Sequence, residues 1–299
     1  YNRSHSYCSY EEEMTDSQKR HHFRQILSGN RCVHPGSVFD AISSRIAEDL
    51  EYQVGMFAGS IASAVVLGDP DHILITLTEF AEQARRICRA SDLPIMVDAD
   101  HGYGNALNVK RTVEELENAG VAALTIEDTV LPKQFGKSEP ELISLPEGIG
   151  KMKAALSGRK DQSLVIAGRT SAFQVTGTED AIERAKAYES IGVDAIFFAG
   201  LTTRSQLEAV KNSIAIPIML GGTPKDINDD QYLSSMGVKI ALQGHLPFMA
   251  AVKATRDTMK ALIEGKQPSE VSTTALDSEL IDKVTKDQQF KDWFKEFLS

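Results

Sequence analysis

Cysteine is scarce: Cys8, Cys32 and Cys88 are the only three in 299 residues, and their spacings match no metal-binding pattern. An odd, scattered set excludes a disulfide framework as the source of stability and fits a reducing compartment. Positive charge is also short. Lys and Arg number 32 against 42 Asp and Glu, a net charge of −10, which argues against a general nucleic-acid or anionic-membrane surface. No apolar run approaches the roughly 20 residues of a membrane span, and the N-terminal stretch has no apolar signal core. Tyr1 is not a natural start, so the terminus reads as trimmed. A glycine-rich dinucleotide fingerprint, a phosphate-binding P-loop and a biotin-attachment motif are all missing, so neither a nucleotide nor biotin is expected as cofactor. What these absences leave is a soluble, cytoplasmic protein without nucleic-acid or membrane partners. Its 42% hydrophobic and 25% charged residues are enough for a large core in one sizeable domain.

What is present is a repeated strand-then-helix rhythm. Short apolar runs bounded by Pro or Gly mark strands at 32–34, 53–58, 94–97, 122–126, 163–167, 193–198, 217–220 and 238–242. Such runs read as strands buried on both faces, as in a parallel sheet. Helical patterns fill the gaps at 38–50, 78–90, 107–119, 146–156, 179–191, 205–212, 228–236 and 248–264. Thr76-Leu77-Thr78-Glu79 has the form of a capping box, and Gly120, Gly192 and Gly237 stand where glycine ends helices. Eight such units in a single-domain chain predict an α/β fold of the (β/α)8 barrel type.

In such a barrel, chemistry belongs where strands end. Two acidic stretches lie there: Asp98-Ala99-Asp100-His101-Gly102-Tyr103-Gly104 after the third strand and Glu127-Asp128 after the fourth. Carboxylates converging on a small volume, without a matching cluster of Lys or Arg, repel one another unless a hard cation sits among them. Oxygen ligands without Cys or paired His suit Mg2+, with Mn2+ substituting, better than zinc. Ser60 follows the second strand, Arg169 ends the fifth, and His245 stands just past the eighth. Each has an ordinary alternative: Ser60 can cap a turn, Arg169 can merely pair with Glu127 or Asp128, and His245 can be a helix-cap or core histidine. Together, one hydroxyl, one guanidinium and one imidazole beside an acid cluster describe a site for a small anion and a metal.

These residues resemble the isocitrate lyase/phosphoenolpyruvate mutase superfamily, most closely its oxaloacetate decarboxylase branch. The resemblance spans residues 23–266. It is carried by Ser37-Val38-Phe39-Asp40-Ala41, Gly59-Ser60-Ile61-Ala62-Ser63, the Asp98 to Gly104 stretch, Ile126-Glu127-Asp128, Ala167-Gly168-Arg169-Thr170 and Gly244-His245. It implies a barrel whose eighth helix is exchanged between subunits, a Mg2+-dependent keto- or hydroxy-acid site, and a homotetramer built as a dimer of dimers. It further implies that Asp98 ligates the metal directly while Asp100 and Glu127 do so through water. Ser60, Arg169 and His245 bind substrate, with Arg169 and His245 as the catalytic pair.

The loop Leu131-Pro132-Lys133-Gln134-Phe135-Gly136-Lys137-Ser138 places the chain within the superfamily. It lacks the Cys and His that the lyases use for proton transfer and the Thr-Asn pair of the phosphoryl-handling members. The expected activity is therefore a carboxy-lyase reaction, oxaloacetate to pyruvate and CO2 through a metal-stabilised enolate. The substrate is a small α-keto dicarboxylate. A C–C lyase or hydrolase on a related substituted malate or oxaloacetate, akin to 2-methylisocitrate lyase, is the alternative. A barrel that only binds a dicarboxylate is a third reading. A Schiff-base aldolase is disfavoured because no lysine ends a predicted strand. By sequence the chain divides into an N-terminal extension (1–22), the barrel (23–266) and an amphipathic helical tail (267–299). The tail carries Leu280, Val284, Phe290, Trp293, Phe294 and Phe297, large apolar groups that need a surface to cover.

Overall fold

The computed structural model of the chain describes residues 13–275 and 277–299. Cys8 and the first twelve residues of the expected extension lie outside the described residues. Eight parallel strands follow one another in chain order around one sheet: β1 (Gly36–Ser37), β2 (Gly55–Phe57), β3 (Ile95–Asp98) and β4 (Ala123–Glu127). They continue through β5 (Val165–Thr170), β6 (Ala195–Phe198), β7 (Ile218–Leu220) and β8 (Val238–Ala241). A parallel bridge between Val33 and Ile240 draws the two ends of the sheet together. The (β/α)8 architecture read from the strand-then-helix rhythm is the one observed.

The first strand lies later than expected. Val33 serves β8, donating its N–H to the Lys239 carbonyl at 2.8 Å, whereas Gly36 and Val38 donate to Val54 and Met56 at 2.9 Å. Pro35 between them has no N–H to give and separates the two ladders. Strand burial explains the unbroken apolar runs: every residue of β4 and β6 is buried. The helix Leu77–Cys88 shows how the outer layer is specified. Thr76 and Glu79 close the capping box, and Phe80, Ala81, Ala84, Ile87 and Cys88 form the inward face. Phe80 stacks on Phe57 of β2 with ring centroids 5.1 Å apart. Gly120, Gly192 and Gly237 take left-handed φ values of 90°, 97° and 80°, the conformation that glycine adopts without strain at helix ends.

A helix that the periodicity did not reveal, Asp16–Ser28, closes the N-terminal end of the barrel. The expected division between residues 22 and 23 falls inside it. Thr15 caps it in a box with Gln18, and Phe23 is fully buried. Ile26 and Leu27 are buried beside it, and the remaining inward groups are charged. Lys19 donates to the carbonyls of Cys88 and Ser91, and Arg20 to those of Val121 and Glu117 and to Asp161. Arg24 donates to the carbonyls of Ser163 and Leu164 and to Asp194. These carbonyls belong to the chain entering β3, β4 and β5, and Asp194 precedes β6, so one helix ties four strand approaches together.

The helix Leu246–Ile263 behaves differently from the preceding helices of the barrel layer: none of its 18 residues is buried. Phe248, half covered, meets Phe39 edge-on at 5.5 Å, while Met249, Val252, Met259 and Ile263 stand exposed. The tail then returns to the barrel. In the helix Ser278–Thr285, Val284 is buried and its carbonyl accepts from Arg45 at 2.9 Å. The helix Asp287–Leu298 buries nothing, leaving Phe290, Phe294 and Phe297 exposed.

Candidate active site

A cleft of about 1000 Å³ opens at the C-terminal mouth of the strands, and Ser60, Asp98, Asp100, Glu127, Arg169 and His245 all line it. They come from the ends of β2, β3, β4 and β5 and from the start of the helix Leu246–Ile263. Asp98 is the last residue of β3, and its Oδ1 accepts from Thr125 Oγ1 at 2.9 Å and from the Asp100 N–H at 3.2 Å. Its Oδ2 accepts from Arg169. Glu127 ends β4, takes a hydrogen bond from Thr129 Oγ1 at 2.9 Å, and lies 3.4 Å from the Arg169 guanidinium. Arg169 stands directly beside Glu127 in the β4–β5 register and packs over the Phe197 ring at 5.6 Å. Of the two pairings weighed for it, Glu127 is realised, joined by Asp98, and Asp128 is not.

Asp128 is a correction to the acid set. Adjacent residues at a strand end point to opposite sides, so Glu127 enters the cleft and Asp128 turns away from it. There Asp128 is fully buried and accepts from Arg184 at 3.2 Å and Tyr188 Oη at 2.9 Å. Its role is to hold β4 against the helix Thr178–Ile191.

The loop after β3 bends sharply. Asp100 and Tyr103 are left-handed, at φ 47° and 60°, a strained state for residues with a side chain. Buried partners hold it: Lys151 Nζ donates to the His101 carbonyl at 2.8 Å and Thr112 Oγ1 to the Gly102 carbonyl at 3.0 Å. The bend lays the Asp100 carboxylate over the backbone of Gly59, where any Cβ would come within 2.6 Å of it. Glycine at 59 is thus what lets this acid reach the cleft.

The charges are unbalanced. Burial, then the neighbouring Asp98, Glu127 and Asp71, push Asp100 well above the usual carboxylate range. Burial also raises Glu127 despite Arg169, and burial and Asp98 raise Asp71. Asp71, in the loop 68–76, lines the same cleft and was missed in the sequence because no apolar strand precedes it. Four carboxylates therefore face one guanidinium, with Lys133 at the rim tied to the Ser138 carbonyl at 2.8 Å. A divalent cation fits this donor set chemically: hard oxygens, surplus negative charge and no competing thiol. Among the described residues no group of three or more His, Cys, Asp or Glu side chains is placed to hold an ion unaided.

His245 begins the helix Leu246–Ile263 without capping it through its side chain. Its Nδ1 lies 2.9 Å from Ser37 Oγ at the end of β1, and burial lowers its proton affinity below the ordinary histidine value, although Asp98 opposes this. Ser37 belongs to the Ser37–Ala41 motif, yet nothing in the sequence alone marks it as a partner of His245. His72, Gln174, Thr202 and Thr223 add to the polar lining. The loop expected to separate family branches contributes Leu131, Pro132 and Lys133, and no cysteine lines the cleft among the described residues.

A family model described as phosphoenolpyruvate phosphomutase matches residues 23–263. The chain is 58% identical over 278 residues to oxaloacetate decarboxylase of Bradyrhizobium diazoefficiens, covering 93% of this chain and 96% of that protein. In fold it is similar to phosphonopyruvate hydrolase solved with oxalate and Mg2+, at a TM-score of 0.83 and 25% identity over 96% of this chain and 100% of that one. It is also similar to 2,3-dimethylmalate lyase, a member of the phosphoenolpyruvate mutase/isocitrate lyase superfamily, at 0.81 and 25% over 93% and 99%.

Proposed function

The chain belongs to the phosphoenolpyruvate mutase/isocitrate lyase superfamily, and from that we propose that it decarboxylates oxaloacetate to pyruvate and CO2 with a divalent metal ion. The observation that carries the reading is the single cleft in which Arg169 stands amid surplus carboxylates, with a half-buried His245 on its wall and no cysteine to serve lyase chemistry. The close relative bears the name of this activity at 58% identity. The metal, held by Asp98 directly and by Asp100 and Glu127 through water, would supply a Lewis acid at the keto oxygen of the substrate; Mg2+ is the expected ion, with Mn2+ substituting. Arg169 offers a planar, permanently charged fork to the keto acid. As the C3–C4 bond breaks, its electrons move to the C2 oxygen, and a fixed guanidinium beside that oxygen lowers the barrier because it needs no reorganisation. Ser60 binds the C1 carboxylate, and His245 meets the substrate from the β1–β8 side. Asp98 and Glu127 hold the guanidinium in place between strands.

The exposed apolar faces of Leu246–Ile263 and Asp287–Leu298 support a homotetramer, a dimer of dimers with that long helix exchanged between subunits. No helix among the described residues is long and apolar enough to cross a membrane, and a cytoplasmic location is the accompanying proposal. The helix Asp16–Ser28 is part of the barrel unit, which runs to 266, and the tail follows from 267. The test is a screen of α-keto diacids with Mg2+, following pyruvate or its analogues, before and after chelation. Oxaloacetate turnover that stops with chelator and returns with Mg2+ or Mn2+ is expected. Full turnover in excess chelator, or an imine trapped by borohydride, would overturn the reading.

A further inference from the structure

Ser37 is nearly buried, 9% exposed, and its hydroxyl has one partner among the described residues, Nδ1 of His245 at 2.9 Å. Two arrangements of hydrogens satisfy that distance. If the ring donates from Nδ1, the serine hydrogen is left without an acceptor in a nearly dry position. An unpaired buried donor costs about 1–3 kcal/mol, whereas a hydroxyl oxygen left with free lone pairs costs less. The hydroxyl therefore donates. We infer that Ser37 is a positioning residue, which gives its hydrogen to Nδ1 of His245 and so fixes the ring hydrogen on Nε2, the nitrogen left for the cleft. The inference rests on the proposed decarboxylation for its functional meaning, though not for its geometry.

The surroundings agree with a neutral ring in this form. Burial disfavours the imidazolium, and Gly244 (φ 79°) with the Phe39–Phe248 contact sets where the ring enters the cleft. A neutral ring with hydrogen on Nε2 is a donor on its cleft side and cannot act as a base there. Full transfer of that hydrogen to C3 of the product enolate would leave an imidazolate, or force Ser37 to become an alkoxide. Neither is reachable with neutral groups alone, so His245 holds a substrate oxygen by hydrogen bond and the C3 proton comes from elsewhere. Ser37 thus determines what His245 can do, without touching substrate.

The test uses the full chain with 15N-labelled histidine, the His245 signals among seven histidines being identified by their loss in His245→Gln. Wild-type protein should show hydrogen on Nε2 near neutral pH, and Ser37→Ala should show a mixture of both ring forms, with Ser37→Thr restoring the first. In the wild-type background Ser37→Ala should lower kcat/KM about tenfold, as for one lost hydrogen bond. The same change in the His245→Gln background should do nothing, which a merely structural serine would not produce. Hydrogen on Nδ1 in the wild type, an unaltered ring and rate in Ser37→Ala, or an equal loss in both backgrounds would overturn the inference. Should no α-keto diacid be turned over, the decarboxylase reading falls while the ring signals still decide the role of Ser37.

Discussion

The two ends of the barrel handle charge in opposite ways. At the N-terminal floor, each buried cation is matched. Lys19 and Arg20 are spread over strand-entry carbonyls and Asp161, while Arg24 and Arg159 share Asp194. At the mouth, Asp71, Asp98, Asp100 and Glu127 share one guanidinium, and three of the four are raised above their ordinary range. Matched charge at the floor is architecture. Unmatched charge at the mouth is a stored demand for a cation, and it marks the working end of the barrel. The comparison predicts that substitutions at the mouth damage turnover and spare stability, with the reverse at the floor.

The largest expected effect is at the mouth. Arg169→Ala should lose about two orders of magnitude or more in kcat/KM, roughly 3 kcal/mol of transition-state stabilisation, with a far-ultraviolet spectrum unchanged from wild type. Near-wild-type oxaloacetate turnover in this variant would place the chemistry elsewhere. Next comes the floor. Arg20→Ala strips the Val121 and Glu117 carbonyls of a donor and leaves Asp161 without its cationic partner, with only Ser163 still donating to it. Denaturant unfolding should show a loss of about 2–3 kcal/mol, with kcat/KM within about twofold of wild type.

The smallest effect sharpens the contrast through pH. Partial burial pushes Asp161 upward, but hydrogen bonds from Ser163 and Arg20 outweigh it and hold the carboxyl below its ordinary 3.8. A carboxyl with a depressed folded value binds fewer protons in the native state than in the unfolded one. Its contribution is therefore complete above about pH 4 and is lost as pH falls through the folded value. Asp161→Asn should be less stable than wild type by about 1 kcal/mol at pH 7, and the gap should narrow on acidification below pH 4. A gap that stays constant from pH 7 to pH 2 would sink the assignment.

Much of this molecule can be read without coordinates, and the exceptions have physical causes. Strands β2 to β8 follow from apolar runs because parallel strands are covered on both faces. The six expected site residues meet in one cleft because a barrel gathers strand ends. Asp128 misleads because sequence adjacency to Glu127 hides the alternation that sends it the other way. Asp71 escapes because it rides a loop, reaching the cleft by the path of the chain rather than by a strand. Ser37 escapes because a serine after a short strand is an ordinary residue until His245 is brought beside it from 208 positions away. The helix Asp16–Ser28 escapes for another reason: its apolar stripe is only Phe23, Ile26 and Leu27, and Lys19 and Arg20 take the inward positions of the preceding turn.

That last feature has a meaning in time. Arg24 finds its acidic partner 170 residues further along the chain. At synthesis rates of about 5–20 residues per second, the helix waits roughly ten to thirty seconds for its docking site to be made. A segment that docks through leucines would spend that interval as an adhesive surface. One that pairs a short apolar stripe with ammonium and guanidinium groups exposes less such surface while it waits in water for the strand entries that receive it.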